Sequence, residues 1–128
     1  MGLRVFLVDD LLSMKALMRD LFGTIGGLEL VATAISEGEA KLWLEDHPGA
    51  WDLTVLDLVL ESGSGMGVIA RCKELNPQGL VVVFSAYATP VIAQHCARLG
   101  ADAVFGKDQT EAFVTWLAQR AGNTPGSA

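Results

Sequence analysis

The sequence is poor in the residues that staple small proteins or hold soft metals. It has two cysteines, Cys72 and Cys96, and two histidines, His47 and His95. Two cysteines without CxxC spacing cannot make a disulfide scaffold, which leaves buried thiols in a reducing compartment as the expectation. The histidines are isolated and lack HExxH spacing, which speaks against zinc. No apolar run approaches the ~18–20 residues of a membrane span. The short run Val5–Val8 meets Asp9 too soon to be a signal-peptide core. A soluble, cytoplasmic protein is expected. Cations are scarce as well: Lys and Arg number 9 against 15 for Asp and Glu, a net charge of −6. So few dispersed cations cannot build a stripe for nucleic-acid phosphates. The acidic excess leaves two readings, a solubility device or carboxylates gathered around a metal.

What the chain has in quantity is apolar residues, 51% of the total, which excludes an intrinsically disordered protein. Its 128 residues match one domain and suffice to bury roughly two-thirds of the unfolded surface. Short apolar runs alternate with helix-period stretches five times. Val5-Phe6-Leu7-Val8 is dense and β-branched, as in a strand covered on both faces. Met14, Leu17, Met18, Leu21 and Ile25 then recur at helical spacing, and Gly23 and Gly26-Gly27 mark the end. Leu28 to Ala34 reads as a second strand. Ser36 and Glu39 form a capping-box pattern for a helix that turns Ala40, Trp43 and Leu44 inward and stops at His47-Pro48-Gly49. Leu53 to Leu56 is a third strand, followed by the loop Ser62-Gly63-Ser64-Gly65 and a helix from about Met66 to Leu75. Leu80 to Phe84 is the clearest strand. Thr89-Pro90 opens a helix that runs to Leu99-Gly100. Ala103 to Phe105 is a short fifth strand. Asp108 and Glu111 make a second capping pair for a helix carrying Phe113, Trp116, Leu117 and Arg120 on one face. Trp51 and the other aromatics sit in or beside apolar stretches and read as core.

The order βαβαβαβαβα implies parallel strands with helices on both faces. Five units are too few for a barrel of eight, so an open, doubly wound α/β sheet is expected. In such a sheet, ligands bind beyond the carboxyl ends of the strands. Strand one ends in Asp9-Asp10, strand three in Asp57 and strand four in Ser85, while Lys107 follows strand five within two residues. Singly, each has an ordinary reading: Asp10 as a helix N-cap, Ser85 as a turn residue, Lys107 as a solvated charge. Together they put three carboxylates, a hydroxyl and an ammonium on one rim. Carboxylates so placed repel unless a cation intervenes. A hard divalent ion, Mg²⁺ or Mn²⁺, suits oxygen ligands better than zinc does, and Mg²⁺ held by carboxylates is a usual arrangement for phosphoryl transfer.

Val8-Asp9-Asp10, Asp57 with Gly65 eight residues on, Ser85-Ala86, and Gly100-Ala101-Asp102 with Lys107 resemble the receiver domain of bacterial response regulators. The resemblance covers roughly residues 3 to 121. It implies a flavodoxin-like (βα)5 fold with strand order 2-1-3-4-5, an arrangement for which a member of that family is a standing example. It implies that Asp57 is the phosphoacceptor, with Asp10 a direct Mg²⁺ ligand, Asp9 acting through metal-bound water, and the Val59 carbonyl completing the set. Ser85 and Lys107 would meet phosphoryl oxygens. Tyr87 and Val59 occupy positions that tune the lifetime of the phosphoryl group. The implied partners are a sensor histidine kinase or histidine phosphotransfer protein and a downstream protein target. The protein would be a monomer or a weak phosphorylation-dependent dimer, without membrane or direct nucleic-acid contact.

The sequence also departs from the family pattern. Asp108 follows Lys107 where many members have proline, and Glu61 stands where proline is frequent. The position of the usual aromatic switch holds Val104, with Phe105 beside it, which puts that switch in doubt. Competing readings are weaker. Gly63-Ser64-Gly65-Met66-Gly67 is neither GxGxxG nor a Walker A loop, against a nucleotide- or flavin-binding module. Val59 replaces the second acid an aspartyl phosphatase would need. An inactive receiver serving as an interaction module is the remaining alternative. The expected domain is residues 1–121 with a disordered tail over 122–128, and no output domain is expected after residue 121.

Overall fold

A computed structural model describes residues 2–122. It contains β1 (Leu3–Val8), α1 (Leu12–Ile25), β2 (Leu28–Ala34), α2 (Glu37–Asp46) and β3 (Leu53–Leu56). α3 (Gly65–Leu75), β4 (Leu80–Ser85), α4 (Pro90–Leu99), β5 (Ala103–Gly106) and α5 (Thr110–Arg120) follow. The strands form one parallel sheet in the order β2-β1-β3-β4-β5. This is the doubly wound, flavodoxin-like (βα)5 arrangement that the alternation of apolar runs predicts. The expected tail lies outside the described residues apart from Gly122. Among the described residues, no helix is long and apolar enough to cross a membrane.

The period of two in each strand divides the core into two layers. Val5, Leu7, Leu53, Val55, Val82 and Phe84 meet Met14, Met18 and Phe22 of α1 and Phe113 and Leu117 of α5. Phe6, Val8, Leu56, Val81 and Val83 face the other way, toward Ala40 and Leu44 of α2, Val68, Ile69 and Cys72 of α3, and Cys96 of α4. β2 serves both layers through a bulge. Val5 pairs with Leu30 but Phe6 pairs with Ala32, so Val31 is an extra residue. Leu28 and Leu30 therefore pack on the α1 side and Ala32 and Ala34 on the α2 side, although all four are even-numbered.

The capping signals held at two helices and failed at one. The Ser36 hydroxyl accepts from the Glu39 amide at 3.1 Å, and the Glu39 carboxylate reaches back to the Ile35 amide at 3.0 Å. Thr89 accepts from the Ile92 amide, with Pro90 in the first turn. The expected Asp108–Glu111 cap does not form: α5 begins one residue later, after Gln109, and no side chain caps it. Gln109 instead turns its Oε1 back to accept from the Gly106 amide at 2.8 Å. That bond closes the turn after β5 and moves the helix start past Asp108. Cys72 and Cys96 are buried free thiols as expected, and burial pushes the Cys72 thiol up to about 12.

Gly100-Ala101-Asp102 belongs to the end of the sheet away from the acidic rim. Gly100 closes α4 with a φ of 118°, a conformation that favours glycine. One oxygen of Asp102, Oδ2, accepts from the Val81 amide at 2.8 Å and from Lys73 Nζ at 2.8 Å, and Lys73 also donates to the Gly79 carbonyl at 2.7 Å. The Asp102 amide returns a bond to the Val81 carbonyl at 2.7 Å. Asp102→Ala leaves a buried strand amide and a lysine without their acceptor. It is expected to cost about 1–3 kcal/mol in chemical denaturation, with phosphorylation little changed because the rim is at the opposite strand ends.

Candidate functional site

β1, β3 and β4 end side by side, and their last residues carry polar groups into a mostly apolar sheet. Asp9, Asp57 and Ser85 are buried, and among the described residues only Thr54 joins them as a buried polar residue. Carboxylates are seldom buried unless paired, so two of them at one sheet end require a partner. Lys107, from the loop after β5, supplies it. Its Nζ lies 3.1 Å from Asp9 Oδ2 and 3.1 Å from Asp57 Oδ2. The lysine is 19% exposed, Asp9 2% and Asp57 9%, so these ion pairs are shielded from solvent screening.

The remaining carboxylate oxygens are held by backbone amides. Asp9 Oδ1 accepts from the Leu11 amide at 2.9 Å, and Asp57 Oδ1 from the Leu58 amide at 2.7 Å. Burial pushes the Asp9 carboxyl above its ordinary value, opposed by the Leu11 amide and Lys107 and assisted by the Asp57 charge. For Lys107, burial works against the charged form, but the bonds to Asp57 and Asp9 prevail and hold the ammonium above its usual range. Asp10 is half-buried beside them and is not the N-cap of α1: Leu11 occupies that place, without a side-chain cap. One carboxylate oxygen from each of Asp9, Asp10 and Asp57 lies within 4.8 Å of the others. An all-oxygen cluster of this kind fits a hard divalent cation and not a thiolate- or imidazole-loving one.

The loop after β3 is built to hold Asp57 still. Leu58 and Leu60 turn into the core while Val59 between them is 50% exposed at the rim. Val59 pairs antiparallel with Ser64, and the Gly65 amide donates to the Leu58 carbonyl at 3.0 Å. A Cβ on Gly65 would land on the Asp57 carbonyl oxygen, so the start of α3 approaches β3 more closely than any other residue allows. The Ser64 hydroxyl caps α3 by accepting from the Met66 amide at 3.1 Å.

Ser85 is fully buried, and its hydroxyl accepts from the Tyr87 amide at 3.2 Å. That leaves its own proton to give. Tyr87 is 59% exposed. Val104 and Phe105 diverge: Val104 packs toward the α4 side, whereas Phe105 packs under α5. Phe105 meets Phe113 edge-on at 6.0 Å and Trp116 at 6.4 Å, and Arg120 lies over the Trp116 ring. Val104, the residue that the resemblance puts at the aromatic-switch position, is thus a small aliphatic side chain, and the neighbouring Phe105 is engaged with another helix.

The sequence matches the family described as the response regulator receiver domain over residues 5–116. The chain belongs to that family. It is similar to the chemotaxis protein CheY of Thermotoga maritima, 26% identical over 102 residues that cover 79% of this chain and 82% of that protein. It is also similar to the methanol utilization control regulatory protein MoxX of Paracoccus denitrificans, 29% identical over 87 residues. That match covers 66% of this chain but only 38% of MoxX. The fold is shared with the solved CheX-CheY-BeF3-Mg+2 complex from Borrelia burgdorferi at a TM-score of 0.82 and 21% identity, over 94% of this chain and 89% of that one. The response regulator domain of Thermotoga maritima CheB gives a TM-score of 0.81 at 17% identity, over 100% and 99% of the two chains. Receiver domains are signalling modules of two-component systems rather than enzymes in the ordinary sense. They bind Mg²⁺ at an acidic pocket and work between histidine kinases and downstream effectors.

Of the rim residues expected from the sequence, Asp9, Asp10, Asp57 and Lys107 cluster, while Ser85 stands at the end of β4 with its backbone carbonyl accepting from the Lys107 amide at 3.1 Å; Gly100-Ala101-Asp102 serves the opposite end of the sheet. One participant was missed. Glu37, at the start of α2, bonds the loop that follows Asp57. The glycines at alternate positions 63, 65 and 67 were its only trace in the sequence.

Proposed function

We propose that Asp57 accepts a phosphoryl group from a phosphohistidine on a sensor kinase or phosphotransfer protein, and that the resulting change in shape controls a protein target. The observation that supports this most directly is the single ammonium of Lys107 shared, at 3.1 Å each, by two buried carboxylates at adjacent strand ends. In the transfer, an Asp57 carboxylate oxygen forms a bond to phosphorus as the phosphorus–nitrogen bond breaks. The imidazole leaves with the electron pair, and the product is an acyl phosphate. This chemistry needs charge neutralised and groups aligned more than it needs covalent assistance.

Asp9, Asp10, Asp57 and the Val59 carbonyl would hold Mg²⁺ or Mn²⁺, with Asp9 acting through bound water. When bound, the cation supplies neutralisation of charge on the transferring oxygens. Lys107 adds a fixed positive charge, and its two carboxylate bonds keep it aimed at the reacting group. Ser85 has a hydroxyl proton to offer, but its burial means that the loop from Ser85 to Thr89 must shift to bring it to a phosphoryl oxygen. An acyl phosphate carries more negative charge than the carboxylate it replaces, which is the force for that shift. Tyr87 and Val59 flank the position and control access of water. With Val104 in the aromatic switch position, the shift passes through backbone movement of the loop and of β5.

The test is intact mass after incubation with acetyl phosphate, with and without Mg²⁺. A gain of one phosphoryl group that requires Mg²⁺ and is absent in Asp57→Asn is expected. No gain under either condition would establish an interaction module that does not take a phosphoryl group.

A further inference from the structure

Glu37 stands where an acidic residue is ordinarily explained by its own helix, in the first turn of α2. Its carboxylate is used otherwise. Oε1 accepts from the Ser64 amide at 2.7 Å, across 27 residues of sequence, and Oε2 pairs with Lys41 at 2.6 Å. The backbone joins the same loop: the Glu37 amide donates to the Ser62 carbonyl at 2.9 Å, and the Glu61 amide to the Ile35 carbonyl at 3.3 Å. Lys41 and the Ser64 amide hold the carboxyl below its ordinary range, so it stays ionised.

The loop is cut to admit this side chain. A Cβ on Gly67 would meet Glu37 Oε2, and a Cβ on Gly63 would lie 2.6 Å from Oε1. Gly63 also has a φ of 85°, in the left-handed region. The glycine-rich stretch that matches no phosphate-binding motif therefore has a physical account: Gly63 and Gly67 accommodate Glu37, and Gly65 accommodates the Asp57 carbonyl. Ser64, whose amide donates to Glu37, pairs with Val59 and caps α3. The chain of contacts runs from α2 through Ser64 to Val59, two residues from Asp57.

We propose that Glu37 is a positioning residue for phosphorylation: by accepting from the Ser64 amide it fixes the loop that places Asp57 and the Val59 carbonyl. This rests on the reading of Asp57 as phosphoacceptor. Part of what holds this acceptor loop is then supplied from outside it, by the first turn of α2.

The experiment compares wild type with Glu37→Ala, Glu37→Gln, Lys41→Ala and Gly67→Ala. Three readouts are taken: amide exchange at Ser64 in the metal-free protein, Mg²⁺ affinity by calorimetry, and phosphorylation rate from acetyl phosphate. Glu37→Ala is expected to release the Ser64 amide to exchange, weaken Mg²⁺ binding several-fold, and slow phosphorylation about tenfold, as a displacement well under 1 Å would. Glu37→Gln keeps an oxygen acceptor and is expected to rescue most of the rate, and Lys41→Ala, which removes only the ion pair, to stay close to wild type. Should Glu37→Ala fold poorly, Gly67→Ala displaces the carboxylate while leaving it in the chain, and is expected to reproduce the faster exchange. Wild-type exchange, Mg²⁺ affinity and rate in folded Glu37→Ala overturn the proposal, as does a Glu37→Gln protein no better than Glu37→Ala. A wild-type protein that takes no phosphoryl group overturns the reading of Asp57 instead, and the exchange and calorimetry arms still decide the part played by Glu37.

Discussion

Lys107→Met is expected to slow phosphorylation from acetyl phosphate by roughly 10²-fold or more, the usual loss when one preorganised charge partner is removed, while Mg²⁺ binds more tightly. The two effects have one origin. Lys107 Nζ sits on the Oδ2 atoms of Asp9 and Asp57, the two carboxylates that cluster with Asp10. In the metal-free protein the ammonium offsets their repulsion. A divalent cation bound among the same carboxylates must tolerate that positive neighbour. Removing Lys107 therefore helps the cation and hurts the transfer. The metal-free variant should also lose stability, on the order of 3–5 kcal/mol as for stranded buried charge, with protonation of Asp9 softening the loss. Thermal unfolding with and without Mg²⁺ checks this: Mg²⁺ should stabilise the variant more than wild type. Equal Mg²⁺ affinity in the two proteins would show that Lys107 and the cation do not compete for these carboxylates.

Gly65→Ala is expected to be the most damaging single-methyl change in the acceptor loop. The added Cβ falls on the Asp57 carbonyl oxygen, lies 2.9 Å from Leu56 Cδ1 and 3.0 Å from the Asp57 carbonyl carbon. Two of those three atoms are backbone at the end of a buried strand, so the first turn of α3 must withdraw. Overpacking of this kind typically costs 1–3 kcal/mol. The chemical cost is greater, because a shift of about 1 Å in a reacting group is worth about 10²-fold in rate. Gly67→Ala is the milder case, since its Cβ meets only the ends of the Glu37 and Lys41 side chains, which can swing away at no more than the roughly tenfold loss of rate expected for losing the Glu37 bond. Denaturation midpoints and acetyl phosphate kinetics on the two variants should separate clearly. If Gly65→Ala keeps wild-type kinetics, the close approach of α3 to β3 has no bearing on Asp57.

The elements that were legible from the sequence are those whose signal is local. Strand runs such as Leu80 to Phe84, the Ser36 and Thr89 caps, and polar residues ending strands in a doubly wound order all follow from short-range pattern and topology. The clustering of Asp9, Asp10, Asp57 and Lys107 was legible for the same reason, since topology alone carries strand ends to one rim. What was not legible depends on contacts distant in sequence. Glu37 reads as an ordinary first-turn acid until its bond to Ser64, 27 residues away, is seen. Asp108 and Glu111 make a sound capping pattern, yet Gln109 is drawn to the Gly106 amide and the helix starts beyond it. The bulge at Val31 leaves no mark because Leu28 to Ala34 reads equally well as a regular strand. Phe105 could be placed on neither face of β5 from its neighbours alone, and packing against Phe113 and Trp116 decides it.

The bulge at Val31 has an effect outside the molecule. β2 and β5 are the two outer strands, and an unpaired strand edge is a template on which another chain can lay its own strand. β5 offers only four residues, too short a ledge to be a strong template. β2 is seven residues long and would be the hazardous edge, but its extra residue breaks the even row of amides and carbonyls and increases the local twist. The residue that lets one strand serve two helical layers also denies polymerising neighbours a regular edge.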